Sequence, residues 1–317
     1  MKVISEVLRM QGMMILQVAV LVVALILVLV WLLGVRSQTP LRRVNDAVPK
    51  QPYEDVKFRS GDKQCCGWFI PSRDIATQEQ PTAPTIIIVH GWGSNRAYSL
   101  RYVDPLYDAR FSIFLFDVRC HGDSEEIPAS SSFTFRDDLL AAVEYVRTRP
   151  DVQQDAIGVV GHSLGGLGSI LALDLGLSVQ AVITDSMPIR LRTVLQSECS
   201  RIHIPMFPLA YMVMFIWLLR ARITPQLFKN MNVIHVLNRN AQGANIPVFL
   251  VHSRHDGFIP HSELQYIIDH VNTKVEHLFI EIQGHSCSEQ DQQFWGHVIP
   301  FFRRHLLGTD QRIAQRS

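Results

Sequence analysis

The sequence predicts an α/β protein: a doubly wound, mostly parallel sheet with helices on both faces, an inserted helical cap and an N-terminal transmembrane helix. Three observations lead there. Residues 12–35 are apolar apart from Gln17 and form a stretch long enough to cross a bilayer. From residue 85 onward, short continuous apolar runs bounded by turns alternate with helical stretches, as in a buried parallel sheet with crossover helices. Between residues 190 and 245 that alternation breaks, which marks an insertion between two strands.

The N-terminal segment is expected to be a single-pass anchor, residues 1–36. A cleaved signal peptide is the competing reading, but its apolar core should run only about 7 to 15 residues and end at a small-x-small site. Here Trp31-Leu32-Leu33-Gly34-Val35 continues the apolar stretch. Arg36, Arg42, Arg43 and Lys50 after it outnumber Lys2 and Arg9 before it, the asymmetry of a cytoplasmic domain. Related signal-anchored proteins reverse that arrangement, so the side of the membrane stays open. Residues 37–52, polar and holding Pro40, Pro49 and Pro52, read as a stalk.

The globular domain is expected over residues 53–308, with a tail at 309–317. It opens with a hairpin, 56–60 and 66–70, turning at Gly61-Asp62. Buried strands follow at 85–89, 112–116, 156–160, 181–184, 247–252 and 277–282. Residues 136–149 form a helix with Asp137 and Asp138 in its first turn, Arg147 and Arg149 in its last and Pro150 after it. A second helix, 289–306, closes the domain. Within the cap, residues 209–219 are wholly apolar but too short to cross a membrane, so they need a dry neighbour.

Composition excludes several functions. Thirty Lys and Arg against twenty-nine Asp and Glu give a net charge of +1, so no global field draws nucleic acid. The five cysteines show no C-x-x-C spacing of a zinc or redox site. No phosphate-cradling glycine motif occurs around residues 161–169, and no cofactor is expected.

The chemistry is carried by a constellation. Gly161-His162-Ser163-Leu164-Gly165 fits G-x-S-x-G directly after an apolar strand and before a helical stretch, the context that puts a serine on a strained turn. A serine hydroxyl is a weak nucleophile and needs a base, which needs a group to fix its tautomer. Asp256 and His285 each follow a later strand, giving the chain order Ser163, Asp256, His285. Asp185 also follows a strand and is the rival for the acid. His90-Gly91-Trp92-Gly93 follows the strand at 85–89; the amides of Trp92 and Leu164 are the expected oxyanion donors.

Through HGWG, FDVRCHGDS, GHSLGG, HDGFIP and the final GHS, the chain resembles the α/β-hydrolase superfamily over residues 53–306, in its membrane-anchored, lipase- and serine-peptidase-like branch. Where that branch usually reads D-x-R-G-H-G, Cys120 stands in place of the middle glycine. Asp117, Arg119 and His121 are expected to hold that loop, with Cys120 a buried bystander. The resemblance implies cleavage of an acyl bond, by default a carboxylic ester, in a small-molecule or lipid-like substrate. Peptidase, thioesterase and acyltransferase activities, and a non-catalytic membrane-tethered binding protein of the same fold, are the alternatives.

Overall fold

The computed structural model describes residues 2–201, 203 and 205–307, so the expected tail at 309–317 lies outside the described residues. Helix α1 (Lys2–Ser37) leads into the hairpin β1 (Glu54–Ser60) and β2 (Lys63–Ile70). Then come α2 (Arg73–Ala76), β3 (Ala83–Val89), α3 (Val103–Asp108), β4 (Ser112–Phe116), α4 (Ser132–Arg147), β5 (Val152–His162), α5 (Leu164–Leu173) and β6 (Ala181–Asp185). The insertion holds α6 (Leu191–Arg201), α7 (Tyr211–Arg220), α8 (Pro225–Asn230) and α9 (Val233–Gln242). Strand β7 (Val248–His255), α10 (Ser262–His270), β8 (Glu276–Gln283) and α11 (Gln292–Leu306) complete the domain.

The eight strands form one sheet in the order β1-β2-β4-β3-β5-β6-β7-β8. Strands β1 and β2 run antiparallel at one edge, and β3 to β8 are parallel to one another. Successive side chains on a strand point to opposite faces, so each central strand feeds two cores. Ile87 and Val89 pack with Phe135, Leu139 and Ile170 from α4 and α5. Ile86 and Ile88 pack on the other face with Leu106 from α3 and Phe302 from α11. This two-sided burial makes these strands unbroken apolar runs, each fully buried Ile or Phe contributing roughly 1.5–3 kcal/mol. Helix α9 belongs to the first core through Val233, Val236 and Leu237, so the cap over the strand ends is α6 to α8.

Helix α4 begins a turn earlier than the charge pattern suggests. The Ser131 amide donates to Thr134 Oγ1 at 3.1 Å, fixing the start at Ser132 and moving Asp137 and Asp138 out of the first turn. Asp138 is instead buried, accepting from Ser60 Oγ at 2.5 Å, the Arg119 amide at 2.7 Å and Arg119 Nε at 2.6 Å.

Among the described residues one unbroken helix, residues 4–37 of α1, is long and apolar enough to cross a membrane, a property a signal sequence near an N-terminus shares. Its last turns pack on α7. A Cβ on Gly34 would come within 2.7 Å of Ile216, so only glycine admits this approach. Trp217 Nε1 donates to Ser37 Oγ at 2.9 Å, and Arg220 donates to Gln38 Oε1 at 2.9 Å. The segment after α1 lies along the domain: Arg42 donates to the carbonyls of Gly122 and Ser124 at 2.6 and 2.9 Å, and Asn45 to Asp117 at 2.9 Å.

Candidate active site

Ser163 sits between β5 and α5 at φ 51°, a left-handed conformation that costs a non-glycine residue about 1–3 kcal/mol and survives only when its surroundings enforce it. They do. A Cβ on Gly161 would lie 2.6 Å from the Gly165 carbonyl oxygen, and one on Gly165 would strike the carbonyls of Val89 and His90. The turn therefore closes only with glycine at both places, which holds the start of α5 against the end of β3. The Ser163 amide donates to the Asp185 carbonyl at 2.8 Å and ties the turn to β6.

His285 and Asp256 come from the loops after β8 and β7. Ser163 Oγ donates to His285 Nε2 at 2.9 Å, and His285 Nδ1 donates to Asp256 Oδ2 at 2.7 Å. Asp256 Oδ1 is held by the amides of Phe258 and Ile259 at 2.8 and 2.9 Å, which fixes the carboxylate plane. Its side chain is fully buried, whereas that of His285 is 18% exposed. The Phe258 ring stands edge-on to His285 at 5.2 Å.

Asp185, the rival acid, is engaged elsewhere. It accepts from Tyr102 Oη at 2.5 Å, Ser288 Oγ at 2.6 Å and His162 Nδ1 at 3.3 Å. Burial alone would raise its pKa, but the hydrogen bonds from His162, Ser288 and Tyr102 outweigh it and hold the carboxyl below the usual range. Burial pushes His162 down to about 4, against the opposing bond to Asp185, so its ring is neutral at pH 7. With the proton on Nδ1, His162 Nε2 accepts from Ser286 Oγ at 2.9 Å. Ser163-His285-Asp256 thus has a neighbour, Ser286-His162-Asp185, with the two histidine rings 5.1 Å apart. Sequence reasoning missed His162 and Ser286 as partners. The tripeptide Gly-His-Ser, occurring at 161–163 and again at 284–286, is the signal that marks them.

Gly91 places the loop after β3 against Ser163, where a Cβ would lie 3.1 Å from Ser163 Cβ. Trp92 follows in that loop. Leu164 is the first residue of α5, where helix amides have no partner inside the helix and the positive end of the helix dipole faces out. Beneath the loop, His90 Nε2 accepts from the Val118 amide at 3.0 Å and His121 packs against His90 at 5.0 Å. Asp117 pairs with Arg96 and accepts from the amides of Arg96 and Asp123 at 2.7 and 2.9 Å. Cys120 adopts φ 71°, the left-handed geometry a glycine would take there. Its thiol is buried, bonded to Ile127 and raised in pKa by that burial.

Ser163, His285, Trp92 and Leu164 line one cavity of about 650 Å³, walled on the cap side by Val213 and Trp217; Asp256 lies behind His285, outside the lining. Among the described residues, no group of three or more His, Cys, Asp or Glu is arranged to hold a metal ion.

Strand order, serine turn and cap define the class: the chain has the α/β-hydrolase fold. A family model of the alpha/beta hydrolase fold matches residues 84–199. The uncharacterized protein YfhR of Salmonella typhimurium is 34% identical over 121 residues, 38% of this chain and 40% of that protein. The uncharacterized protein YqkD of Bacillus subtilis is 25% identical over 213 residues, 64% of each chain. The chain spans 40 to 46% of the length of the YfhR relatives it matches. Among solved structures, the Pyrococcus furiosus esterase Pf2001 superposes with a TM-score of 0.64 at 23% identity, over 84% of this chain and 100% of that one, a likeness of fold.

Proposed function

We propose that this protein is a serine hydrolase, anchored in a membrane by residues 1–36, that cleaves carboxylic esters through an acyl-enzyme. The observation that carries the reading is the chain of two hydrogen bonds, 2.9 and 2.7 Å, joining Ser163, His285 and Asp256 at the wall of an apolar cavity. Ser163 Oγ attacks the acyl carbon while its proton passes to His285 Nε2. Charge on the carbonyl oxygen is met by the amides of Trp92 and Leu164, and Asp256 stabilises the imidazolium. As the C–O bond breaks, His285 gives the proton to the departing alcohol. Water then attacks the acyl-enzyme and gives a proton to His285, which returns it to Ser163 as the acid leaves. The catalytic domain is residues 53–308, with the insertion at about 190–245 supplying the cap through α6 to α8.

The packing of Gly34 and Ser37 on the cap supports α1 as a retained part of the protein rather than a removable leader. Incubation with a fluorophosphonate tests the chemistry. Labelling of the wild type and not of Ser163→Ala is expected; folded wild type that does not label would make the protein a binding protein of hydrolase fold. A panel of acyl esters and thioesters of graded chain length then sorts ester from thioester cleavage.

A further inference from the structure

Helix α7 is apolar all round, yet only one of its faces is covered. Val213 and Ile216 are buried against the rest of the protein, while Tyr211, Phe215 and Leu219, spaced by four and so on one face, are 43, 65 and 57% exposed. None of those three lines the cavity, whereas Leu209, Val213, Trp217 and Leu218 from the same stretch do. One side of α7 therefore walls the site, and the other presents bare hydrocarbon outward. In water such a face is unfavourable.

Its place in the molecule identifies what covers it. Helix α7 packs on Gly34 and Ser37 of α1 and on Gln38 just after it, where the apolar helix ends. About twenty helical residues cover the hydrocarbon core of a bilayer, so a span that ends near Val35 puts those residues at one interface. Arg220, the last residue of α7, reaches the Val35 carbonyl at 3.5 Å and Gln38 Oε1 at 2.9 Å, beside Arg36 in the last turn of α1. A helix with an apolar outer face and cations at its end lies in the plane of that interface. The cavity reaches it too: Leu33, Arg36 and Gln38 line the same space as Ser163.

We propose that α7 is an interfacial helix beside the exit of α1, and that the cavity over Ser163 takes its substrate from the bilayer, so that the substrate class is a membrane-resident acyl ester lipid. The substrate assignment rests on the hydrolase reading above; the placement of α7 does not. The site's wall and the membrane contact are opposite faces of one helix, which sets the cavity mouth at the lipid surface and lets an acyl chain reach Ser163 without crossing water.

Full-length protein in phosphatidylcholine vesicles tests both parts. With p-benzoylphenylalanine in place of Phe215, irradiation should give lipid adducts at that position and none when the group replaces the exposed Lys57 on β1. Absence of adducts at 215 overturns the placement. The triple variant Y211S/F215S/L219S, checked for folding by fluorophosphonate labelling, should hydrolyse a long-chain ester dissolved in the vesicles about tenfold more slowly and a water-soluble butyrate ester unchanged. Equal rates on both substrates relative to wild type, or equal losses, overturn the route from the bilayer. Adducts at 215 with no turnover of either ester by the wild type would overturn the hydrolase reading and the substrate class with it, leaving the helix at the interface.

Discussion

Replacing Asp256 by asparagine keeps the side chain's shape, and the surrounding donors decide which way the new amide points. The amides of Phe258 and Ile259 aim at Oδ1 from 2.8 and 2.9 Å. An asparagine must turn its carbonyl oxygen to them, because its NH₂ group there would face two donors. That leaves the NH₂ where Oδ2 lay, 2.7 Å from His285 Nδ1. It donates to Nδ1 and drives the ring proton to Nε2, the tautomer that cannot accept from Ser163. The expected loss in kcat is about 10⁴-fold, as for other triad acids made amides, or about 5.4 kcal/mol of barrier. Stability should change little, since both backbone donors keep an acceptor. At Asp185 the order reverses. Tyr102 and His162 donate to Oδ2 and Ser288 and Ser186 to Oδ1. An asparagine that keeps its carbonyl toward Tyr102 and His162 makes both serine hydroxyls turn to accept from NH₂, and the loss of the buried charge they served costs about 1–3 kcal/mol of stability and less than about tenfold in turnover. Steady-state kcat on a soluble butyrate ester, with melting temperatures alongside, separates the two. Turnover by Asp256→Asn within tenfold of wild type, or a larger kcat loss for Asp185→Asn, would refute the reasoning.

Three other outcomes follow from the structure. Gly165→Ala should destabilise by about 1–3 kcal/mol or more and abolish fluorophosphonate labelling, because its Cβ meets the rigid carbonyls of Val89 and His90; an unchanged melting temperature would contradict that close approach. Burial holds His90 and His162 down at about 4 and His121 at about 3, while unfolded histidines protonate near 6.5. Below pH 6.5 the unfolded chain binds more protons than the folded one, so the melting temperature should fall between pH 6.5 and about 4; a flat profile over that window would exclude these histidines as its cause. Sodium carbonate should leave the full-length protein in the membrane pellet and release a chain lacking residues 1–29, which keeps the docked turns of α1. Retention of that shortened chain through carbonate would show that α1 is not what anchors the protein.

The central strands were legible because both of their faces are buried: Ile86-Ile87-Ile88-Val89 can be read only as a run between two cores. Ser163, Asp256 and His285 were legible because each stands just past such a run, and the fold brings those ends together. The start of α4 was not, because Asp137-Asp138 looks like a dipole-stabilised first turn until Asp138 is seen buried against Arg119 and Ser60. The exposure of Phe215 was not either. Hydropathy shows that a helix is apolar all round but cannot show which face the rest of the chain covers. The partnership of His162 with Ser286 spans 124 residues, and its one trace in the sequence is the repeated Gly-His-Ser, which gives no sign that the two copies meet.

That partnership makes the two Gly-His-Ser turns a reciprocal pair. Each turn sends its serine to the other's histidine: Ser163 to His285, and Ser286 to His162. The contact works like a clasp with two hooks facing opposite ways, so neither turn can slide by one residue without releasing both. Substitutions in one turn should accordingly be felt in the other, and single changes at His162 and Ser286 should combine non-additively. Grafting the site onto another scaffold would require both tripeptides, with Asp185 behind one and Asp256 behind the other, to be moved as one piece.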